Sequence, residues 1–153
     1  MVSEGEVAPD FELKADDGST VTLRQFRGKK VILYFYPKDN TPGCTKEACD
    51  FRDSASWFGD LGIVVLGVSK DSLDSHMKFR EKHKLNFPLL SDPTLEVHKK
   101  YGVWKDKKLY GKTFLGVERT TFLIGEDGRV ETIFRQVKVP GHVNEVKGAV
   151  AQA

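Results

Sequence analysis

Apolar and polar positions alternate with a period that changes several times along the chain, and each change predicts an element. Phe11 and Leu13 alternate with polar neighbours, Asp17-Gly18 supplies turn chemistry, and Val21-Thr22-Leu23 resumes the pattern, which predicts an opening β-hairpin. Val31 to Tyr36 is an unbroken apolar and aromatic run that follows Gly28-Lys29-Lys30 and stops at Pro37; Ile63 to Val68 is a second such run. Both predict buried strands. Between them, Cys44, Ala48, Phe51, Ala55 and Phe58 recur at steps of four and three, the repeat of one helix face, in a helix beginning just after Pro42-Gly43. Strand, helix, strand is a βαβ unit.

A second helix is expected from about Leu73 to His83 with Met77 and Phe79 facing inward, then a short strand around Asn86 to Leu90 and a short helix at about Leu95 to Lys100. Thr120 to Ile124 and Val130 to Phe134 flank Gly125-Glu126-Asp127-Gly128-Arg129, the pattern of an antiparallel hairpin, and the segment after Gly141 can close as a helix. This order predicts an α/β protein with a central mixed β-sheet, helices on both faces and an N-terminal hairpin, which is the thioredoxin-like plan. No repeat, low-complexity tract or linker composition interrupts it, so residues 1–153 are expected to form one domain.

Composition narrows the function classes. Charged residues are 30% and hydrophobic ones 39%, as in an ordinary soluble chain. The formal net charge is only +2, and lysines such as Lys105, Lys107 and Lys108 are interspersed with acids, so no nucleic-acid partner is expected. No stretch approaches the ~20 apolar residues of a membrane helix, and the start carries Glu4 and Glu6 instead of an apolar leader. No membrane association and a cytoplasmic location are the expectation. Two cysteines are too few for a disulfide scaffold; in a reducing compartment a close pair points to catalysis, redox sensing or metal binding.

Cys44 falls in the first turn of its helix, where unsatisfied backbone N–H groups and the positive end of the helix dipole favour an anion. Thiolate is the nucleophilic form of cysteine. The same position suits an unreactive, buried small residue equally well. On an intact helix Cys49 lies about 140° around and about 7.5 Å along the axis from Cys44, a Cα separation of roughly 8 to 9 Å. A disulfide needs Cα atoms within about 7 Å, so pairing these cysteines requires the first turns of the helix to unwind. Four residues intervene, unlike the Cys-x-x-Cys of thioredoxin-type exchange. His76, His83, His98 and His142 form no compact ligand pattern with either cysteine; no metal is expected, and each reads as a helix-surface or loop residue.

The run Tyr34-Phe35-Tyr36-Pro37-Lys38-Asp39-Asn40-Thr41-Pro42-Gly43-Cys44-Thr45-Lys46-Glu47-Ala48-Cys49, continuing through Asp50-Phe51-Arg52-Asp53, closely resembles the active-site signature of peroxiredoxins. Within that family it is most similar to the bacterioferritin comigratory protein, or peroxiredoxin Q, subgroup. Weaker echoes run from Ala8-Pro9-Asp10-Phe11 through Phe87-Pro88-Leu89-Leu90-Ser91-Asp92 to Arg119-Thr120-Thr121-Phe122-Leu123-Ile124. By this resemblance Cys44 is the peroxidatic cysteine, Pro37 and Thr41 complete the Pro-x-x-x-Thr-x-x-Cys core, and Arg119 is the accompanying arginine. Thr41 can orient the sulfur and a peroxide oxygen, and Pro37 can shape and shield the loop. Backbone N–H groups of Gly43 and Cys44 can stabilise charge as the O–O bond breaks. Read alone, Arg119 would be a solvated charge at a strand edge; the resemblance, carried through Phe122-Leu123-Ile124, implies a forked donor beside the sulfur. Glu47 also matches the subgroup pattern, but near a helix start it serves equally as a complement to the dipole or a cap. Tyr36 and Lys38 receive no catalytic role, and Trp104 is a candidate cover for the site mouth.

The resemblance implies a thiol peroxidase acting on hydrogen peroxide and alkyl hydroperoxides, with no metal, haem or flavin. It further implies Cys49 as the resolving cysteine of an intramolecular disulfide, thioredoxin or another dithiol as reductant, and a monomer. Two alternatives stay open: a peroxidase in which an external thiol replaces Cys49, and a redox-sensing binding protein that does not turn over.

Overall fold

The computed structural model describes residues 2–152. Strands β1 (Glu12–Ala15) and β2 (Thr20–Thr22) form the opening hairpin, Leu13 opposite Val21, with Gly18 at φ +84 supplying the left-handed turn residue. Strand β3 (Val31–Phe35) follows, then helices α1 (Pro42–Asp53) and α2 (Ala55–Asp60), strand β4 (Val64–Ser69), helix α3 (Leu73–His83), strand β5 (Leu89–Ser91) and helix α4 (Glu96–Lys100). The chain closes with β6 (Trp104–Leu109), β7 (Lys112–Val117), β8 (Thr120–Ile124), β9 (Val130–Phe134) and α5 (His142–Gln152).

Seven strands form one sheet in the order β2-β1-β5-β4-β3-β8-β9, parallel from β5 through β4 to β3 and antiparallel elsewhere. This is the mixed α/β sheet that the order of elements predicts. Every side chain of β3 is buried because each face of the sheet meets a core. Val31, Leu33 and Phe35 join Leu66, Tyr101 and Phe122 on one side, while Ile32, Tyr34 and Tyr36 join Ala48, Phe51, Phe58 and Val146 on the other. A pleat that turns alternate residues to opposite faces therefore explains the unbroken apolar run. Cys44 belongs to the second core.

Several expectations are corrected. The single helix face from Cys44 to Phe58 is broken at Ser54 into α1 and α2, although Phe58 still reaches the core. On α3, Met77 is 48% exposed, and His76 packs inward with Phe79 at an i, i+3 spacing. His98 and His142 are buried too, so three of the four histidines are interior residues, each with a polar partner: Asp39 for His76, Asp92 for His98 and Thr121 for His142. Both ring nitrogens of His76 are engaged, whereas His98 Nε2 and His142 Nδ1 have no hydrogen-bond partner among the described residues; a bonded nitrogen lowers the cost of burying the ring, which hydropathy patterns do not register. β5 starts only at Leu89, because Lys84 and Leu85 finish α3 and Pro88 has no N–H to pair.

The β6–β7 hairpin is a separate two-stranded ribbon turning at Tyr110-Gly111, both at positive φ as a tight two-residue hairpin demands. Its apolar pattern is weak because only its base, Trp104 and Val117, meets the core. No helix among the described residues is long and apolar enough to cross a membrane.

Candidate active site

The site is assembled where β3 hands over to α1. After Phe35 the chain turns through residues 37–41, with Asn40 in the left-handed region at φ 65, and Thr41 enters the helix in extended conformation. Pro42 occupies the first helical position, where its fixed φ suits the helix and its missing N–H is not needed. The helical ladder begins with the Thr45 N–H donating to the Thr41 carbonyl at 2.9 Å. Gly43 and Cys44 precede that bond, so their N–H groups lie in the unsatisfied first turn. Cys44 is there, 1% exposed.

Arg119 comes from the connection between β7 and β8. Its neighbour Glu118 donates from the backbone to Val103, and its own carbonyl accepts from Val137, which fixes the base of the side chain. The guanidinium forks: Nη2 lies 3.3 Å from Cys44 Sγ, and Nη1 donates to Glu47 Oε1 at 2.6 Å. A Cβ at residue 43 would stand 3.3 Å from Nη2, so a glycine there leaves the fork room to reach the sulfur.

Glu47 lies three residues beyond Cys44 on α1 and is fully buried. It is therefore neither a cap nor a solvated complement to the helix dipole; it is the second partner of the Arg119 fork. Burial pushes its carboxyl up to about 7, with the Arg119 charge and hydrogen bond pulling the other way. Its Oε2, like the Tyr34 hydroxyl, has no hydrogen-bond partner among the described residues. Burial also raises Tyr34 well above the ordinary phenol value, and the charge of Glu47 adds to that. For Arg119 itself, burial works against the charge, but Glu47 and Cys44 outweigh it and raise the pKa. Arg119 is thus a fixed cation shared between the Cys44 sulfur and a carboxyl of intermediate pKa.

The other residues expected at the site are placed as follows. Pro37 lines an open cavity of about 530 Å³ beside Arg119, together with Lys105, Lys107, Gln136 and Val137. The Thr41 hydroxyl donates to the Lys38 carbonyl at 2.8 Å, closing the loop on itself. Tyr36 donates to Asp39 inside the core, and the Lys38 side chain faces solvent. Trp104 packs against the first core at the base of the hairpin, whereas Cys44 belongs to the second. Cys49 is half-buried on the same unbroken α1, and both thiols are free.

The signal that could have found the role of Glu47 is its spacing: it stands at i+3 from Cys44, on the same helix face, so both can meet one cation. Asp39, buried beneath the loop, and His76 gave no such signal, since their link joins segments 37 residues apart.

A helix N-terminus presents a cysteine to a half-buried arginine on a mixed sheet of this topology; the chain belongs to the AhpC/TSA family, whose profile matches residues 5–133, and is a thiol peroxidase. Within it the similarity is to peroxiredoxins of the Bcp and PrxQ type. The chain is 54% identical to peroxiredoxin Bcp of Bacillus subtilis over 141 residues, covering 92% of this chain and 90% of that one. It is 44% identical to peroxiredoxin Bcp of Escherichia coli over 138 residues, covering 90% and 88%. The bacterioferritin comigratory protein of Xanthomonas campestris, a protein with alkyl peroxide reduction activity, superposes with a TM-score of 0.91 at 39% identity, covering 99% of this chain and 98% of its own.

Proposed function

We propose that this peroxiredoxin is a single-domain, monomeric enzyme that reduces hydrogen peroxide and alkyl hydroperoxides through Cys44 and resolves the product with Cys49. The observation that carries the reading is the fork of Arg119 between Cys44 Sγ and Glu47. The Cys44 thiolate attacks one peroxide oxygen; an S–O bond forms, the O–O bond breaks, and the second oxygen leaves with a proton as water or alcohol. Arg119 and the first-turn N–H groups lie where negative charge passes from sulfur to oxygen. Pro37 borders the approach, and Thr41 holds the loop that leads into the helix.

Cys44 is then a sulfenic acid, which the Cys49 thiol attacks with loss of water, forming an S–S bond. Both cysteines ride one helix, so this step needs the first turns of α1 to unwind. An external dithiol such as thioredoxin attacks the disulfide, passes through a mixed disulfide and leaves oxidised, returning both cysteines as thiols. The alkyl peroxide activity of the Xanthomonas relative supports the alkyl arm of the substrate range.

The test is intact mass against time after one equivalent of hydrogen peroxide is added to the reduced protein, with thiols quenched by alkylation. Rapid loss of two hydrogens and of both alkylatable thiols is expected, and Cys49→Ser should stop at a single added oxygen. An oxygen adduct in the unaltered chain that never becomes a disulfide would assign resolution to an external thiol. Reaction no faster than that of a free thiol would end the peroxidase reading.

A further inference from the structure

Beneath the active-site loop lies a second buried polar cluster that the reaction as described does not use. Asp39, five residues before Cys44, has its carboxylate buried and fully engaged. Oδ1 accepts from the Tyr36 hydroxyl at 2.6 Å; Oδ2 accepts from Ser75 Oγ at 2.8 Å and from His76 Nδ1 at 2.7 Å. The Asp39 N–H donates to Asp71 Oδ2 at 2.8 Å, and that oxygen also accepts from Ser69 Oγ at 2.6 Å. His76 Nε2 faces the Leu90 carbonyl at 2.9 Å.

Both ring nitrogens of the buried His76 are engaged, one by the Asp39 carboxyl and the other by the Leu90 carbonyl. Asp39, Asp71 and His76 also bring ligand atoms within 4.8 Å of one another, but each of those atoms already has a hydrogen-bond partner, which makes the cluster a finished network and not a vacant ligand set. Its members come from the end of β3, the β4–α3 connection, α3 and β5. All of these are packed elements, and one loop residue is tied to them at four points.

Asp39 is also tied to the helix that must open. Residues 38–41 form a tight turn, with Asn40 left-handed and the Thr41 hydroxyl closed onto Lys38, and the Thr41 carbonyl accepts the first bond of the α1 ladder. Unwinding the first turn of α1 therefore pulls on this turn and, through it, on Asp39. We propose that Asp39 is a latch, and that its bonds to Tyr36, Ser75 and His76 oppose the unwinding of α1 and so set the rate at which the Cys44–Cys49 disulfide forms. These are positioning residues: among the described residues none of them is hydrogen-bonded to Sγ. The latch rests on the resolving role given above to Cys49.

Population arithmetic makes the two half-reactions respond unequally. While the folded site stays the major state, weakening the latch hardly lowers its population, but multiplies the small unwound fraction in proportion. A lost hydrogen bond to a buried carboxylate is worth about a tenfold change in such an equilibrium. Tyr36→Phe and Ser75→Ala each delete one hydroxyl and no core volume. In rapid-quench alkylation after stoichiometric peroxide, Tyr36→Phe should convert sulfenic acid to disulfide about tenfold faster, with Ser75→Ala changing in the same direction. Peroxide attack, measured with Cys49→Ser added to each variant, should stay within about twofold of its parent. The faster exit from sulfenic acid should also lower the yield of sulfinic acid under excess peroxide.

A cluster that merely stabilises the fold would lower the urea midpoint of both variants without accelerating the disulfide step, and that result overturns the latch. If the unaltered chain forms no disulfide at all, the resolving role of Cys49 falls and the latch with it. A normal disulfide in the unaltered chain, with unchanged rates in both variants, removes the latch alone.

Discussion

A single side chain, Glu47, sets the most testable property of the site. Its carboxyl titrates near 7 in the fold because burial outweighs the opposing pull of Arg119, whereas an unfolded glutamate titrates near 4.5. The folded state therefore holds a proton that the unfolded state has lost between those values, so stability falls as pH rises through this window and levels off above about 7. A shift of that size corresponds to about 3 kcal/mol over the full window. Glu47→Gln keeps an acceptor for Arg119 but cannot ionise. Urea midpoints compared at several pH values should show the variant gaining on the parent from pH 5 to 7, then holding a constant lead. A difference that does not vary with pH would mean that Glu47 is ionised throughout. Cys44 and Arg119 were legible as candidates because their motif and strand context are local in sequence. Glu47 was half-legible: its spacing from Cys44 was visible, but its complete burial was not.

At the scale of elements, helix ends and strand starts are where the chain departs most from its pattern. Lys84 ends α3 in the left-handed conformation at φ 51, its N–H donating to carbonyls of the last turn. A glycine is the residue this cap position favours, so Lys84→Gly at this exposed site should raise stability by about 0.5 to 1 kcal/mol and the melting temperature with it. A fall in melting temperature would mean that the lysine stem contributes packing that outweighs the relief of strain. The paired strands β8 and β9 are legible from their apolar, β-branched runs with the observed bounds, although only β8 is buried throughout. The β6–β7 ribbon is not legible in the sequence, because a solvated hairpin rich in lysine has no apolar alternation to betray it. The pattern misplaces Met77 and His76 for a related reason: hydropathy ranks methionine as interior, but a histidine with polar partners at both nitrogens takes the inward place.

For the molecule as a whole, the reading uses residues of one chain only: Cys44, Glu47 and Cys49 from α1, Arg119 from the edge of β8, and the loop bearing Pro37 and Thr41. Peroxidase activity per chain should accordingly stay constant on dilution from micromolar to nanomolar protein at saturating reductant. A steady loss of specific activity would show that a second copy completes the site. The chain's own order of elements was sufficient for the α/β class, for the βαβ unit that carries the cysteines and for the placing of Cys44 at a helix start, because each depends on periodicity and turn chemistry over a dozen residues. The closure of Arg119 onto the sulfur, the burial that moves Glu47 and the tie from Asp39 to His76 belong to the folded molecule. They join residues 75, 72 and 37 positions apart, and only packing brings such residues into the dry interior where a charge or a hydrogen bond carries its full weight.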